Sequence, residues 1–237
     1  DYSKVYVANT DNGTISVMGA DGVLLSKIDV GIAPTRIARS GDFIVVTLRG
    51  ERAVSLFKET ETGLVPAGFI EVGPEPFGVV GTEDGDFAYV AVSQGDEVVE
   101  IDMAQMRVSR RFTVGDQPAF VGLHPSGKAL YVGSLMNGTL SYIDLRGDGQ
   151  IQALPLPEII RFKDRRGDEH FFEQIGLEGP VKMRNRITGD LSVSPDGTSI
   201  AVPVLVLDNT TPVDNPVGHF GEGGGGYAVR NGGMGRF

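Results

Sequence analysis

Apolar residues alternate with polar ones in short runs along most of the chain, and three run types recur in one order. An apolar run built around a Tyr-Val-like pair appears as Val5-Tyr6-Val7, Ile44-Val45-Val46, Ala88-Tyr89-Val90 and Leu130-Tyr131-Val132. A second alternating run follows shortly after each, at Ile15–Val17, Val54–Leu56, Val98–Ile101 and Leu140–Ile143. The third is Gly-x-x-Pro with an apolar run behind it, at Gly31–Pro34, Gly73–Pro76 and Gly115–Pro118. Turn text closes each unit: Ser40–Asp42, Glu83–Gly85, His124–Gly127 and Ser194–Gly197. Period-2 alternation in runs this short predicts strands, and the Gly/Pro/Asp/Asn punctuation predicts tight turns between them.

The Tyr-Val-like positions 6, 45, 89 and 131 stand about 40 residues apart, which leaves room for four short strands per unit. That is the size of a propeller blade, and one blade alone cannot bury both of its faces. The chain therefore predicts an all-β fold, a β-propeller of four-stranded antiparallel blades with about four to five blades present. Blade-like repeats lie near 4–42, 43–86, 87–128 and 129–198, with a partial one over 199–237, all in one domain.

The wording of the repeat goes further. Tyr6-Val7-Ala8-Asn9, Thr14-Ile15-Ser16-Val17, the Gly-x-x-Pro segments and Ser194-Pro195-Asp196-Gly197-Thr198 resemble the YVTN repeat family of β-propellers, which includes surface-layer-like members. The resemblance runs from residue 4 to about 206 and is clearest at 87–144 and 191–202. It is degenerate at 44–57, and Gln94-Gly95-Asp96 replaces the usual Asn-Gly turn. What it implies is a periplasmic or cell-surface propeller that engages a protein or small ligand on one face. It also implies that these units belong to a seven-bladed ring and a longer chain. Relatives of this kind can be fused to cytochrome or peroxidase-like domains. An alternative is therefore the propeller portion of a larger redox enzyme, c-type cytochrome/peroxidase-like or quinoprotein-like, with its haem supplied by another domain.

Composition narrows the function classes. The formal net charge is −10, which repels a phosphate backbone and argues against nucleic acid as partner. Cysteine is absent, so this stretch carries no disulfide, thiolate metal site, Cys nucleophile or thioether-linked haem. No window of the chain is apolar enough to span a membrane, and it opens without a leader-type segment. A P-loop, a nucleophile elbow and an HExxH motif are all missing, so the segment reads as non-enzymatic and without a cofactor of its own.

Two insertions interrupt the repeat, at 151–187 and 207–235. The step from Tyr131 to its equivalent near Ala201 is about 70 residues. The second insertion is dense in glycine. In an antiparallel meander both fall at the same end of the blades, and two long loops on one end of a rigid scaffold form a candidate binding surface. Residues 151–190 hold 7 Lys/Arg and 7 Asp/Glu, so the whole charge excess lies elsewhere. Lys182, Arg184 and Arg186 either pair with the acidic body or offer a cationic patch to an anionic ligand.

Alignment on the Gly-x-x-Pro motif puts Arg36, Gly78, Phe120 and Asp190 at equivalent positions on the innermost strands. Arg36, Phe120 and Asp190 are candidate ligand contacts; the alternative for Arg36 and Asp190 is a structural ion pair. His124 sits in a turn and reads as structural. His170 and His219, with Asp208 and Asp214, form a weak candidate metal set, and oxygen ligation by the two aspartates would suit Ca²⁺. No ligand-like spacing supports either, and surface solvation is the plainer reading.

Overall fold

The computed structural model describes residues 3–60, 63–136, 138–155 and 183–208. The described residues form antiparallel sheets with no α-helix, and no helix is long and apolar enough to cross a membrane. The first sheet has three strands, β1 (Lys4–Asn9), β2 (Thr14–Gly19) and β3 (Leu24–Asp29). Three four-stranded sheets follow in simple meander order. They are β4 (Pro34–Ser40) to β7 (Gly63–Glu71) by way of β5 (Phe43–Leu48) and β6 (Ala53–Thr60), then β8 (Pro76–Gly81) to β11 (Arg107–Thr113) by way of β9 (Phe87–Val92) and β10 (Glu97–Asp102), then β12 (Pro118–Leu123) to β15 (Ile151–Pro155) by way of β13 (Ala129–Ser134) and β14 (Thr139–Asp144). A last, longer hairpin is built from β16 (Met183–Ile187) and β17 (Ser192–Val193), paired with β19 (Val204–Asp208) and β18 (Ile200–Ala201) respectively.

Each four-stranded sheet therefore begins at the Gly-x-x-Pro strand, one strand ahead of the Tyr-Val position. A repeat counted from Tyr-Val to Tyr-Val spans two sheets. The first insertion is bounded by strands at both ends, since Ile151–Pro155 completes the fourth sheet and Met183–Ile187 opens the fifth.

The sheets stack face to face, which explains why the middle strands are apolar on both sides. In β5, Ile44, Val46 and Leu48 pack toward the first sheet with Ile15 and Val17. Val45, between them, packs toward the third sheet with Val90 and Val99. In β9, Tyr89 and Ala91 turn the other way, onto Val121, Leu130 and Val132 of the fourth sheet. Each such side chain removed from water contributes about 1.5–3 kcal/mol, so the stack is held by alternation read in both phases. On the first sheet the face away from the stack leaves Val5 and Val7 exposed.

The first strands of successive sheets lie side by side, β4 against β8 and β8 against β12. That arrangement makes them the inside of an arc. The β-hairpin loops after β1, β5, β9 and β13 share one end of the arc with the Gly-x-x-Pro turns. Pro155 pairs with Thr139 at this end. The last hairpin continues past Ile187 and Val204 to Met183 and Asp208, so it projects about 14 Å beyond the pairing that ends the other inner strands. The chain thus leaves and re-enters the described structure at Pro155, Met183 and Asp208 on a single end.

Candidate functional site

The inner strands start under a shared constraint. The residue before each motif proline has a left-handed backbone, Ala33 at φ 54°, Glu75 at φ 53° and Gln117 at φ 52°. Such a conformation costs a non-glycine residue about 1–2 kcal/mol. Its carbonyl is turned to accept a backbone hydrogen bond from the next strand's end, Arg49 to Ala33, Ser93 to Glu75 and Leu135 to Gln117, each at 3.0 Å. Hydroxyls then tie one sheet to the next. Thr10 Oγ1 donates to the Pro34 carbonyl at 2.8 Å, Thr47 Oγ1 to that of Phe77 at 2.9 Å and Ser93 Oγ to that of Pro118 at 2.7 Å.

The ladder slips just after the proline in all three sheets, between Pro34 and Ile37, Pro76 and Val79, and Pro118 and Phe120. A bulge re-aims the side chains it carries. Here the slipped residues include Arg36 and Phe77, and Phe120 is where the third ladder resumes, opposite Gly133. The Arg36 guanidinium lies 4.9 Å from the centre of the Phe77 ring. Phe77 meets Phe120 edge-on, 5.9 Å between centroids at 85°. Arg36 Nε donates to Asp190 Oδ1 at 3.4 Å, and Nη1 to the carbonyl of its own neighbour Thr35 at 3.3 Å. Phe120 is buried, Phe77 and Arg36 are half-buried, and Asp190 is exposed. Gly78 completes the ring of equivalents for a steric reason. A Cβ there would stand 2.3 Å from the Ala119 carbonyl oxygen, so β8 and β12 approach as only glycine allows.

The structure therefore brings together Arg36, Phe120 and Asp190 and adds Phe77. The aromatic immediately after the motif proline was the signal for it. Arg184 and Arg186 lie on the projecting hairpin, their backbones paired with Leu207 and Leu205, and Asp208 pairs with Met183. Lys182, His170, His219 and Asp214 lie outside the described residues. Among the described residues no three His, Cys, Asp or Glu side chains gather as a metal site. His124 is a turn residue; its Nδ1 accepts from the Ser126 backbone N–H at 3.1 Å and contacts Ser126 Oγ at 2.8 Å.

Two carboxylate clusters, one buried and one half-buried, sit toward the opposite end. Glu100 is 2% exposed and accepts from Tyr89 (3.1 Å), Ser109 (2.7 Å) and Arg110 Nε (2.8 Å), with Arg110 Nη2 on its other oxygen. Burial alone would raise the Glu100 carboxyl, but Arg110, Ser109 and Tyr89 hold it below its usual range. Burial and the Glu100 charge push the Tyr89 phenol up. Glu59 accepts from Lys4 at 2.8 Å, Tyr6 at 2.7 Å and Arg39 at 2.8 Å. The signal for the first cluster was a lone acid, Glu100, inside the apolar run Val98-Val99-Glu100-Ile101.

No protein-family model matches the chain, and no curated protein matches it in sequence. Solved structures do. Hydrazine synthase of Kuenenia stuttgartiensis superposes with a TM-score of 0.72 over 89% of this chain, at 22% identity. The fold is a β-propeller. A 6-phosphogluconolactonase-like protein of Bacteroides uniformis matches over 88% of the chain with a TM-score of 0.58 and 14% identity. Another from Bacteroides fragilis covers 87% at 0.61 and 16%. The propeller segment spans 55%, 65% and 63% of those three chains, less than two thirds of each. At such identities the likeness is one of fold, and it makes the sheets blades of an incomplete ring.

Proposed function

We propose that this propeller is a non-enzymatic binding module of the cell envelope, periplasmic or at the cell surface, of the YVTN repeat kind and part of a seven-bladed ring. It engages a protein or small ligand at the end that carries the hairpin loops. One observation carries the reading. The inner strands deliver Arg36, Phe77, Phe120 and Asp190 to the same end from which the chain departs at Pro155, Met183 and Asp208. An open ring of rigid sheets with polar and aromatic groups at its mouth, flanked by long connections, is a common form of recognition surface. Lys182, Arg184 and Arg186 are the cations this reading would use toward an anionic ligand, against an acidic body. Deleting Arg161–Glu178 leaves the blades folded and abolishes retention of the partner or ligand held by the parent chain. Retention at unchanged affinity overturns the reading.

The likeness to hydrazine synthase supports a second reading, in which the propeller positions partners for a redox domain of a larger enzyme. Haem would then come from outside this segment, which has no cysteine to anchor it. Visible absorption of the natural protein decides: a Soret band favours the enzyme, and its absence in a longer chain favours the binding module.

A further inference from the structure

We propose that the Arg36 site takes a ligand carboxylate whose apolar flank rests on Phe77, and that Asp190 is an internal stand-in which the ligand displaces. The inference rests on the reading of this end as the binding face. Its grounds are a contrast within the molecule. Arg110 and Glu100 form a completed pair. Both Nε and Nη2 reach the carboxylate, and the remaining N–H groups go to the carbonyls of Leu145 and Gly147. Arg36 is left incomplete. Guanidinium binds carboxylate best through two parallel N–H groups. Along the Nε/Nη2 edge of Arg36, Nε holds Asp190 at 3.4 Å, longer than an ordinary N–H···O bond, and Nη2 has no hydrogen-bond partner among the described residues.

Asp190 is a poor permanent partner. Its side chain is 68% exposed against 37% for Arg36, and it sits 154 positions away in sequence, in the link between β16 and β17. An exposed single-contact pair of this kind is weak and easily exchanged. The guanidinium itself is held in place by the Phe77 ring beneath it and the Thr35 carbonyl beside it. It is thus a preorganised donor edge with half its capacity unspent, beside a half-buried aromatic. A monovalent organic carboxylate with a flat apolar body fits both features, whether it comes as a free acid or as the carboxyl terminus of a peptide.

The test follows the Arg36 Nε–H resonance of the isotope-labelled full chain, assigned by its loss in Arg36→Lys. Benzoate shifts it saturably, benzamide does not, and acetate does so more weakly for want of an apolar flank. Asp190→Asn raises benzoate affinity about two- to fivefold, because the internal competitor is gone. Arg36→Ala, which lacks the reporter N–H and is followed by calorimetric titration instead, lowers it by about tenfold or more. Gly-Gly-Phe with a free carboxyl, compared with its amide and with benzoate, assigns the source as a peptide terminus or a free acid. An unmoved resonance with every carboxylate, equal response to benzamide, or unchanged affinity in Arg36→Ala overturns the site. Unchanged affinity in Asp190→Asn overturns the displacement. A benzoate failure alongside loss of partner retention on deleting Arg161–Glu178 removes this inference alone. A benzoate response with retention unaffected by that deletion removes the loop reading alone.

Discussion

Glu100 and Arg110 face each other across adjacent strands, and the guanidinium that closes on the buried carboxylate also caps the Leu145 and Gly147 carbonyls of the next blade. The pair is therefore a tie within one sheet and a latch between two. Replacing only Arg110 by Met strands a buried charge, which costs about 3–5 kcal/mol. Urea unfolding will show that loss. Arg110→Met combined with Glu100→Gln recovers a large part of it, since neither uncompensated charge remains.

Stability across pH is set in part at the seam between the first two blades. Hydrogen bonds from Lys4 and then Tyr6 hold the Glu59 carboxyl below its usual range. A carboxyl depressed in the folded state stabilises above its unfolded value near 4.5 and loses that contribution as pH falls through the folded one. Thermal unfolding from pH 6 down to pH 3 should show a decline that Glu59→Gln flattens.

The same seam responds to alkali with the opposite sign. Burial, followed by the bond and charge of Glu59, pushes the Tyr6 phenol from 10.0 up to about 12. A raised group contributes fully below its unfolded value and loses the contribution as pH climbs toward the folded one. Stability therefore falls between about pH 10 and 12, and Tyr6→Phe reduces this slope, leaving the share of Tyr89, whose phenol is raised as well. A slope unchanged by the substitution would place the loss elsewhere.

Gly78 is a glycine for want of room. An alanine there would force its Cβ against the Ala119 carbonyl oxygen, and the inner strands of the second and third four-stranded sheets cannot part without loosening the arc. Gly78→Ala should lower stability by about 1–3 kcal/mol, the usual cost of overpacking, and speed amide exchange in β8 and β12 first. By contrast, Gly127 has open space for 4 Å around the place a Cβ would occupy, but a φ of +69°; an alanine there is penalised by backbone conformation alone, by about 1 kcal/mol.

Ser134 is buried, and its hydroxyl has no partner among the described residues. Ser134→Ala removes a polar group that gains nothing from burial. It should leave stability unchanged or raise it by up to about 1 kcal/mol, read from the urea midpoint.

Much of this architecture is legible in the chain. The apolar runs Ile44-Val45-Val46 and Ala88-Tyr89-Val90 determine strands buried on both faces, because a side-chain period of two needs only the local backbone to be expressed. Turn chemistry does the same for Ser194–Thr198, where the Asp196 carboxylate accepts from Ser194 Oγ and the Thr198 backbone and its carboxyl is held down to about 2 by those bonds. The Gly-x-x-Pro spacing by itself aligns Arg36, Gly78 and Phe120. What the chain could not show is which of these aligned groups touch. That Arg36 lies on Phe77, that Asp190 reaches it with one oxygen, and that Arg110 crosses to another blade are set by bulges and by the angle between sheets. Those depend on how the whole stack settles, through contacts between residues far apart in sequence, and no local pattern encodes them.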